Sequence, residues 1–486
     1  MKGSIAPRVV IIGGGYSGSA TAVQLVRRSP MALAITLVEP RARIGGGLAY
    51  SSDEPDHRLN GQPAMHSLDP TEPEMFTSWC DERGALAADP GARAADGTVF
   101  MRRSAFRSFL EETVERHKAW PTGSSIRHVR DNAIDIMPGD RSLAVVAADG
   151  ARLECDLVVL APGHTRARLP ATFGADFARH ARIIVDPLAA PRLPAAPSAE
   201  RVLVLGSGLT SYDIVSSLLV AGHQGPIDVV SRRGLLPKPQ RPPRAPGQPP
   251  PPPMLERVGA PPQPFLLGAG SPPTVRALLH AVRRRIREVG GAGETWDEPF
   301  DHLRDMVGQL WPAMAATERR RFFRQLRPWY DAHRFRVAPQ NENMVNDAQR
   351  RGQVRFLAAS LERVEADDER SPLRIALRAR GSSAAQVSVY ERVVNCTGVD
   401  STHPGDVPLY AALLARGMLC VDPSGVGLAV DSRCRAHARD GRTVQRLRVV
   451  GPPTLGARGD PLGGAFIAIQ VHTMIPDIFE VLGVAG

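Results

Sequence analysis

The sequence predicts an α/β protein with two Rossmann-like dinucleotide-binding domains and a helical insertion in the second. Three observations carry that expectation. A strand, a glycine turn, a helix and a second strand fill Arg8 to Glu39; the same pattern returns from Arg201 to Arg233; and a stretch of helical periodicity, Met254 to Arg351, follows the second copy.

In the first unit Val9 to Ile12 is a short apolar run, and Gly13-Gly14-Gly15-Tyr16-Ser17-Gly18 supplies G-x-G-x-x-G at the start of a helix that runs to Arg28. Gly13 permits a tight turn, Gly15 lets backbone approach a pyrophosphate, and Gly18 lets the helix pack closely on the strands. Ser17, following Tyr16 in the turn, opens the helix, whose unpaired N–H groups and partial positive charge face the phosphates. Ala34 to Val38 is the next strand, and Glu39, 21 residues after Gly18, stands where a carboxylate accepts ribose hydroxyls, with Pro40 and Arg41 beside it. The competing reading is a glycine-rich structural turn.

The net charge of +10 raises nucleic acid as a partner, but the arginines are scattered, aromatics are 5%, and no basic run alternates with stacking residues. Binding of polyanionic dinucleotides accounts for the charge more simply. Cys80, Cys155, Cys396, Cys420 and Cys434 form no C-x-x-C pair and no cluster with histidine, which argues against a disulfide framework, a metal site or a redox dithiol. The first strand starts too early to leave room for a signal peptide, and no apolar run reaches membrane-spanning length, so a cytoplasmic protein with no membrane partner is expected.

After Glu39 a second glycine-rich loop, Gly45 to Tyr50, places Gly47 and Leu48 where backbone could approach a flat ring system, or forms an ordinary connection. Asp56 to Gly61 and Ala64 to Pro70 are polar loops of the kind that carry function. Arg103 to Lys118 has Phe106, Phe109, Leu110 and Val114 on one helical face. Ser142 to Cys155 is a hairpin leading into the strand Asp156 to Leu160, and Gly163 just beyond is a point where the chain can cross between domains beside a cofactor.

In the second unit Val202 to Leu205 is the strand, and Gly206, Gly208, Leu209, Thr210 and Ser211 form the turn and helix start, Ser211 being a small residue at the third glycine position. Gly13 to Glu39 is 26 positions and Gly206 to Ser231 is 25, so the two units are in register. The second ends in Ser231-Arg232-Arg233 where the first has a carboxylate. A hydroxyl and two guanidiniums bind a 2′-phosphate that a carboxylate would repel, so NADPH is preferred over NADH unless the arginines are merely exposed turn residues.

Pro237 to Pro264 is proline-rich and expected to be extended. Thr274 to Val289, Glu298 to Leu310 and Thr317 to Tyr330 are expected helices. A second hairpin, Leu373 to Tyr390, leads into Arg392 to Gly398 and echoes the segment that ends in Gly163. Leu447 to Val450 is a last strand before a C-terminal helix, and Asp460 ahead of that helix would place a carboxylate on a flavin ribityl chain. The expected division is 1–165 with 385–486 as one discontinuous domain and 166–384 as the other, with 254–351 inserted in it.

Taken together, Val9 to Gly18 with Glu39-Pro40, Gly45 to Tyr50, Leu59 to Leu68, Gly206 to Asp213, Ser231 to Pro237 and Leu326 to Arg334 resemble the bacterial FAD/NAD(P)-binding flavoproteins that include aspartate N-monooxygenases. The resemblance implies FAD on the first unit and NADPH on the second. It further implies oxygenation of a nucleophilic nitrogen, through a flavin C4a-hydroperoxide, on a small polar substrate such as an amino acid. The proline tract after Pro237 departs from that pattern beside the NADPH site. A reductase that never inserts oxygen and a nucleotide-binding redox sensor are the alternatives. His57, Arg58, Asn60, His66, His333 and Arg334 are the candidate substrate-side residues, each of which equally suits a structural or solvated role. They meet only if the helical insertion folds back over the flavin.

Overall fold

The computed structural model describes residues 6–189, 193, 199–243, 247, 251–268, 270–291, 296–398 and 404–484. Within them the chain builds two large, mostly parallel sheets. The first has six strands in the order Arg435–His437, Thr443–Val449, Leu157–Leu160, Arg8–Ile12, Ala34–Val38 and Ser125–Val129, antiparallel only between the first two. Its central strands are continuous apolar runs because both faces are covered. Val9, Ile11 and Val159 pack under the helices Tyr16–Arg28, Arg103–Arg116 and Gly464–Leu482. Val10, Ile12 and Val158 pack under a three-stranded antiparallel sheet, Ala133–Pro138, Leu143–Ala147 and Arg152–Cys155, and the helix Pro408–Arg416.

The expectation that no apolar run reaches membrane-spanning length needs correction. Gly464–Leu482 is 19 residues long and apolar enough to cross a membrane by length and composition. Here it lies against Tyr16–Arg28, with Val471, Met474, Ile475 and Ile478 wholly buried in the first domain's core.

The second sheet has seven strands in the order Ala385–Tyr390, Leu373–Ala379, Val354–Glu365, Ile227–Ser231, Val202–Leu205, Arg392–Asn395 and Ile183–Ile184. The first three are antiparallel and the rest parallel. The expected boundary at 384/385 therefore falls inside this sheet, because Ala385–Tyr390 pairs with Leu373–Ala379 and Arg392–Asn395 pairs with Val202–Leu205. The chain returns to the first sheet only after Asn395. Asp228 in the middle of the sheet is fully buried and accepts from Arg355 Nε at 2.7 Å, Arg201 Nη2 at 2.9 Å and Tyr390 Oη at 2.9 Å, tying three strands together.

The insertion is more broken than its periodicity suggests. The expected helix Glu298 to Leu310 is Asp297–Asp305 followed by Val307–Ala313, and the expected Thr317 to Tyr330 is Ala316–Arg321, a π-helical turn Phe322–Leu326 and Arg327–Arg334. Pro339–Arg350 packs Val345 and Ala348 against Leu209–Val220 and so covers the second sheet itself. Residues 244–246 and 248–250 of the proline tract lie outside the described residues.

The duplication is exact in its hydrogen bonds at the two glycine turns. Gly13 N donates to Val38 O at 2.9 Å and Ala161 N to Ile12 O at 2.8 Å; Gly206 N donates to Val230 O at 2.8 Å and Cys396 N to Leu205 O at 2.7 Å. Gly13 has φ +102° and Gly206 φ +97°, and a Cβ would sit 2.4 Å from Ala161 O or 2.3 Å from Cys396 O. Gly206→Ala thus adds a clash with backbone to left-handed strain, at a cost of about 3 kcal/mol or more. Gly222, at φ +85° with nothing near its missing Cβ, tests strain alone. Gly222→Ala should cost only about 1–2 kcal/mol, and comparing the two variants by denaturant unfolding checks the difference.

Candidate functional site

The second glycine turn opens into a cleft of about 660 Å³ between the sheets, which Ala49, Tyr50, Asn60 and His66 of the first unit also line; no residue of the Gly13 to Gly18 turn lines it. On the first unit the helix Tyr16–Arg28 has Gly15 as its N-cap and no side-chain cap, so its first-turn N–H groups remain available to an anion. On the second, Leu209–Val220 starts in the same way from Gly208, and nothing lies within 4 Å of a Cβ built there. Gly206, Gly208, Leu209 and Thr210 line the cleft, and Ser211 stays buried, its hydroxyl on Gly208 O at 2.7 Å.

The remaining nucleotide candidates lie as follows. Gly15 and Gly47 face each other, a Cβ on Gly15 meeting Gly47 Cα at 3.2 Å, so the Gly45 to Tyr50 loop lies over the first turn with Leu48 half-buried in it. Gly18 packs on Gly13 O and admits no Cβ. Tyr16 and Ser17 are buried side chains; Tyr16 Oη bonds Ser67 O at 2.5 Å and Gly464 O at 2.8 Å, so only their backbone N–H groups serve the turn. The buried Glu39 carboxylate accepts from Gly14 N at 2.8 Å, Arg41 N at 3.0 Å and Arg41 Nη1 at 3.1 Å. Arg41 and Pro40 are exposed, and the Arg41 side chain is the partner a ribose could displace. Gly163 and Gly398, at φ +78° and +91°, occupy matching places after the two crossover strands, and Gly398 lines the cleft.

Ser231, Arg232 and Arg233 line the end of the cleft beside the second turn. Ser231 Oγ accepts from Gly234 N at 3.1 Å, and among the described residues neither guanidinium forms an ion pair. Two unpaired cations at this register suit a phosphate dianion.

The substrate-side candidates divide. Asn60, His66 and Arg334 line the cleft together, so the insertion does come back to the first unit. Arg334 donates from Nε to Asp460 Oδ2 at 2.7 Å and stacks its guanidinium 5.3 Å from the Phe466 ring centre, and Tyr330 Oη donates to the same carboxylate oxygen at 3.1 Å. Asp460 Oδ1 is buried with no hydrogen-bond partner.

His57, Arg58 and His333 do not reach the cleft. Arg58 is buried in a two-point ion pair with Asp89, at 3.0 and 3.2 Å, and also donates to Phe100 O. His333 stacks on Phe300 at 4.3 Å and bonds Trp329 O at 2.7 Å on the far side of its helix. His57 is buried with Nε2 3.1 Å from Ser217 Oγ, at the contact between the two domains. Next to it Arg103 Nη2 donates to Asp213 Oδ2 at 2.6 Å, joining a helix of the first unit to the nucleotide helix of the second. Burial pushes the Asp213 carboxyl up to about 6 against the pull of Arg103.

Sequence reasoning missed Arg103, Arg304 and the segment Leu462 to Phe466, all of which line the cleft. The first two sit in ordinary amphipathic helices, where nothing separates them from the surface arginines around them. The last could have been found from Gly463-Gly464 at the start of a long apolar helix.

Residues 10–165 match the family model described as FAD-NAD(P)-binding. A search of curated proteins finds no match. Among solved structures, the ornithine N-hydroxylase of Kutzneria sp. 744 aligns over 98% of this chain and 99% of its own, with a TM-score of 0.64 and 17% identity. The ornithine hydroxylase of Pseudomonas aeruginosa aligns over 98% and 100%, with 0.63 and 16%. The desferrioxamine-pathway cadaverine monooxygenase of Erwinia amylovora aligns over 98% and 95%, with 0.65 and 14%. At these identities the likeness establishes the fold.

Burial and the nearby Arg103 charge lower the His57 imidazole to about 3. Between pH 6.5 and 3 a proton then binds the unfolded chain and not the folded one, so stability falls as pH falls through that window. His57→Gln should make unfolding free energy less steep over pH 6.5 to 4.5 by about 1.4 kcal/mol per pH unit, measured by urea titration at each pH.

Proposed function

We propose that the chain is an FAD-dependent, NADPH-consuming monooxygenase that oxygenates the nitrogen of a small polar amine. The observation that carries this reading is the pair of uncapped helix N-termini, from two copies of one nucleotide unit, the second of which lines a cleft whose far wall, Tyr50, Asn60, His66 and Arg103, belongs to the first unit. The residues fit the two cofactors. FAD would be held by the first unit, its pyrophosphate by the Gly13 to Gly18 turn and its ribose by Glu39. The orphaned Asp460 Oδ1 is a buried acceptor suited to a ribityl hydroxyl. NADPH would be held by the second unit, its 2′-phosphate by Ser231, Arg232 and Arg233. Bound flavin would supply hydride acceptance and oxygen activation.

What this chain's own residues do is bind, orient and hold protons. Asp460 engages only Nε of Arg334 among the contacts above, which leaves the Nη end of the guanidinium for a substrate carboxylate. His66 Nδ1 lies 3.0 Å from Gln62 O and must donate there, so the neutral ring presents Nε2 as an acceptor. Burial lowers this imidazole to about 4, so the neutral form holds at physiological pH. An acceptor beside Asn60 can orient an uncharged amine, the only protonation state whose nitrogen lone pair can attack. The proteins of like fold are named for ornithine and cadaverine, and a carboxylate-bearing amino acid such as aspartate is the substrate class proposed here. Fold alone does not select among these.

Two measurements test the proposal. With labelled oxygen and a panel of amino acids and diamines, one amine should give a labelled N-hydroxylated product in step with NADPH consumed; hydrogen peroxide alone from every amine would overturn N-oxygenation. Independently, the Arg232→Ala, Arg233→Ala double variant should weaken NADPH roughly ten- to a hundredfold in apparent affinity and leave NADH nearly unchanged, as read from steady-state KM values.

A further inference from the structure

The helical insertion holds a second cavity, of about 290 Å³, behind the helix Arg327–Arg334. That helix is a partition. Trp329, Tyr330 and His333 face the second cavity, while Pro328, Asp331, Ala332 and Arg334 face the cleft. The rest of the wall comes from the apolar side of Val275–Gly291, through Leu278, Val282 and Ile286, and from Trp311 and Phe322. Among the described residues no acidic side chain lines it.

Protein interiors are normally packed without voids of this size. An apolar cavity of about 150 Å³ takes benzene, so this one has room for roughly twice that bulk, a chain of about ten carbons or two fused rings. Part of the wall, Phe322 and Leu326, is supplied by the π-helical turn, a geometry that concentrates at functional sites. Charge then narrows the ligand. Arg283 lines the cavity and is exposed, and it makes no ion pair or hydrogen bond among the described residues. Arg284 and Arg285, next to it on the same helix, are paired with Glu288. An apolar chamber with one unpaired guanidinium is complementary to an apolar chain ending in an anion.

We propose that this cavity binds a monoanionic amphiphile, a medium-chain carboxylate whose chain lies among Leu278, Trp311 and Phe322 and whose head group meets Arg283. The ligand would rest on Tyr330, whose hydroxyl holds Asp460, and on Gly459 just before it, so occupancy bears on the segment that enters the last helix beside the cleft. The proposal goes beyond the monooxygenase reading and does not depend on it.

The test is titration of the purified full-length protein with decanoate, decylamine or decanol, each below its aggregation concentration. Calorimetry and the emission of Trp311 and Trp329 report binding. Decanoate should bind saturably at one site, at least about tenfold tighter than the amine or the alcohol. Arg283→Gln, on an exposed position, should abolish that preference without changing Tm, and the cavity-filling Leu279→Phe should abolish binding. Absence of saturable decanoate binding overturns the proposal. So does equal binding of the three probes, or undiminished decanoate binding by Leu279→Phe, which would place the site elsewhere.

Discussion

The structure depends on one close approach made twice: the α-carbon of a glycine at positive φ against the terminal carbonyl of the neighbouring crossover strand. At Gly13 the carbonyl belongs to Ala161, and at Gly206 it belongs to Cys396. With no Cβ in the way, the chain turns tightly enough at each strand end to start a helix directly above the sheet edge. Each helix then begins without a side-chain cap, its orphan N–H groups directed at the space beyond the strands. The second of these helix starts lines the cleft, where Arg232 and Arg233 add two guanidiniums.

The cleft beside the second turn is walled by both domains, and polar contacts across the seam hold them in register. Arg103 to Asp213 and His57 to Ser217 join the first unit to the nucleotide helix of the second, and Asn341 Nδ2 reaches Asp56 O at 2.9 Å and Ser216 Oγ at 3.1 Å. On the other side, Arg334 to Asp460 and Trp311 Nε1 to Gly456 O at 2.7 Å dock the insertion onto the segment ahead of the last helix. The loop Asp56 to Gly61 is therefore dense in polar residues chiefly because it forms a domain contact. Of this loop, Leu59, Asn60 and Gly61 at its end reach the cleft.

The local units were legible in the sequence because each is encoded within about 30 contiguous residues by glycine spacing, apolar runs and the residue at the end of the second strand. The same register exposed Arg232 and Arg233. What was not legible depended on tertiary direction. His333 and Arg334 are adjacent in sequence on one helix, yet one faces the apolar cavity and the other the cleft, and periodicity does not say which side meets the first unit. Arg58 looked like a substrate anchor because its partner, Asp89, lies 31 residues away. The domain boundary was misplaced because Arg392–Asn395 carries the same buried-strand signature as Leu157–Leu160, and only pairing assigns each to its sheet.

The central claim is that both nucleotides work in one cleft of one chain. Anaerobic mixing of the flavin-loaded protein with NADPH, followed by the visible flavin absorbance, tests it directly. The account predicts a single first-order bleaching phase whose rate is independent of protein concentration and faster with NADPH than with NADH. Bound flavin that NADPH does not bleach, or a rate that rises with protein concentration, would contradict it.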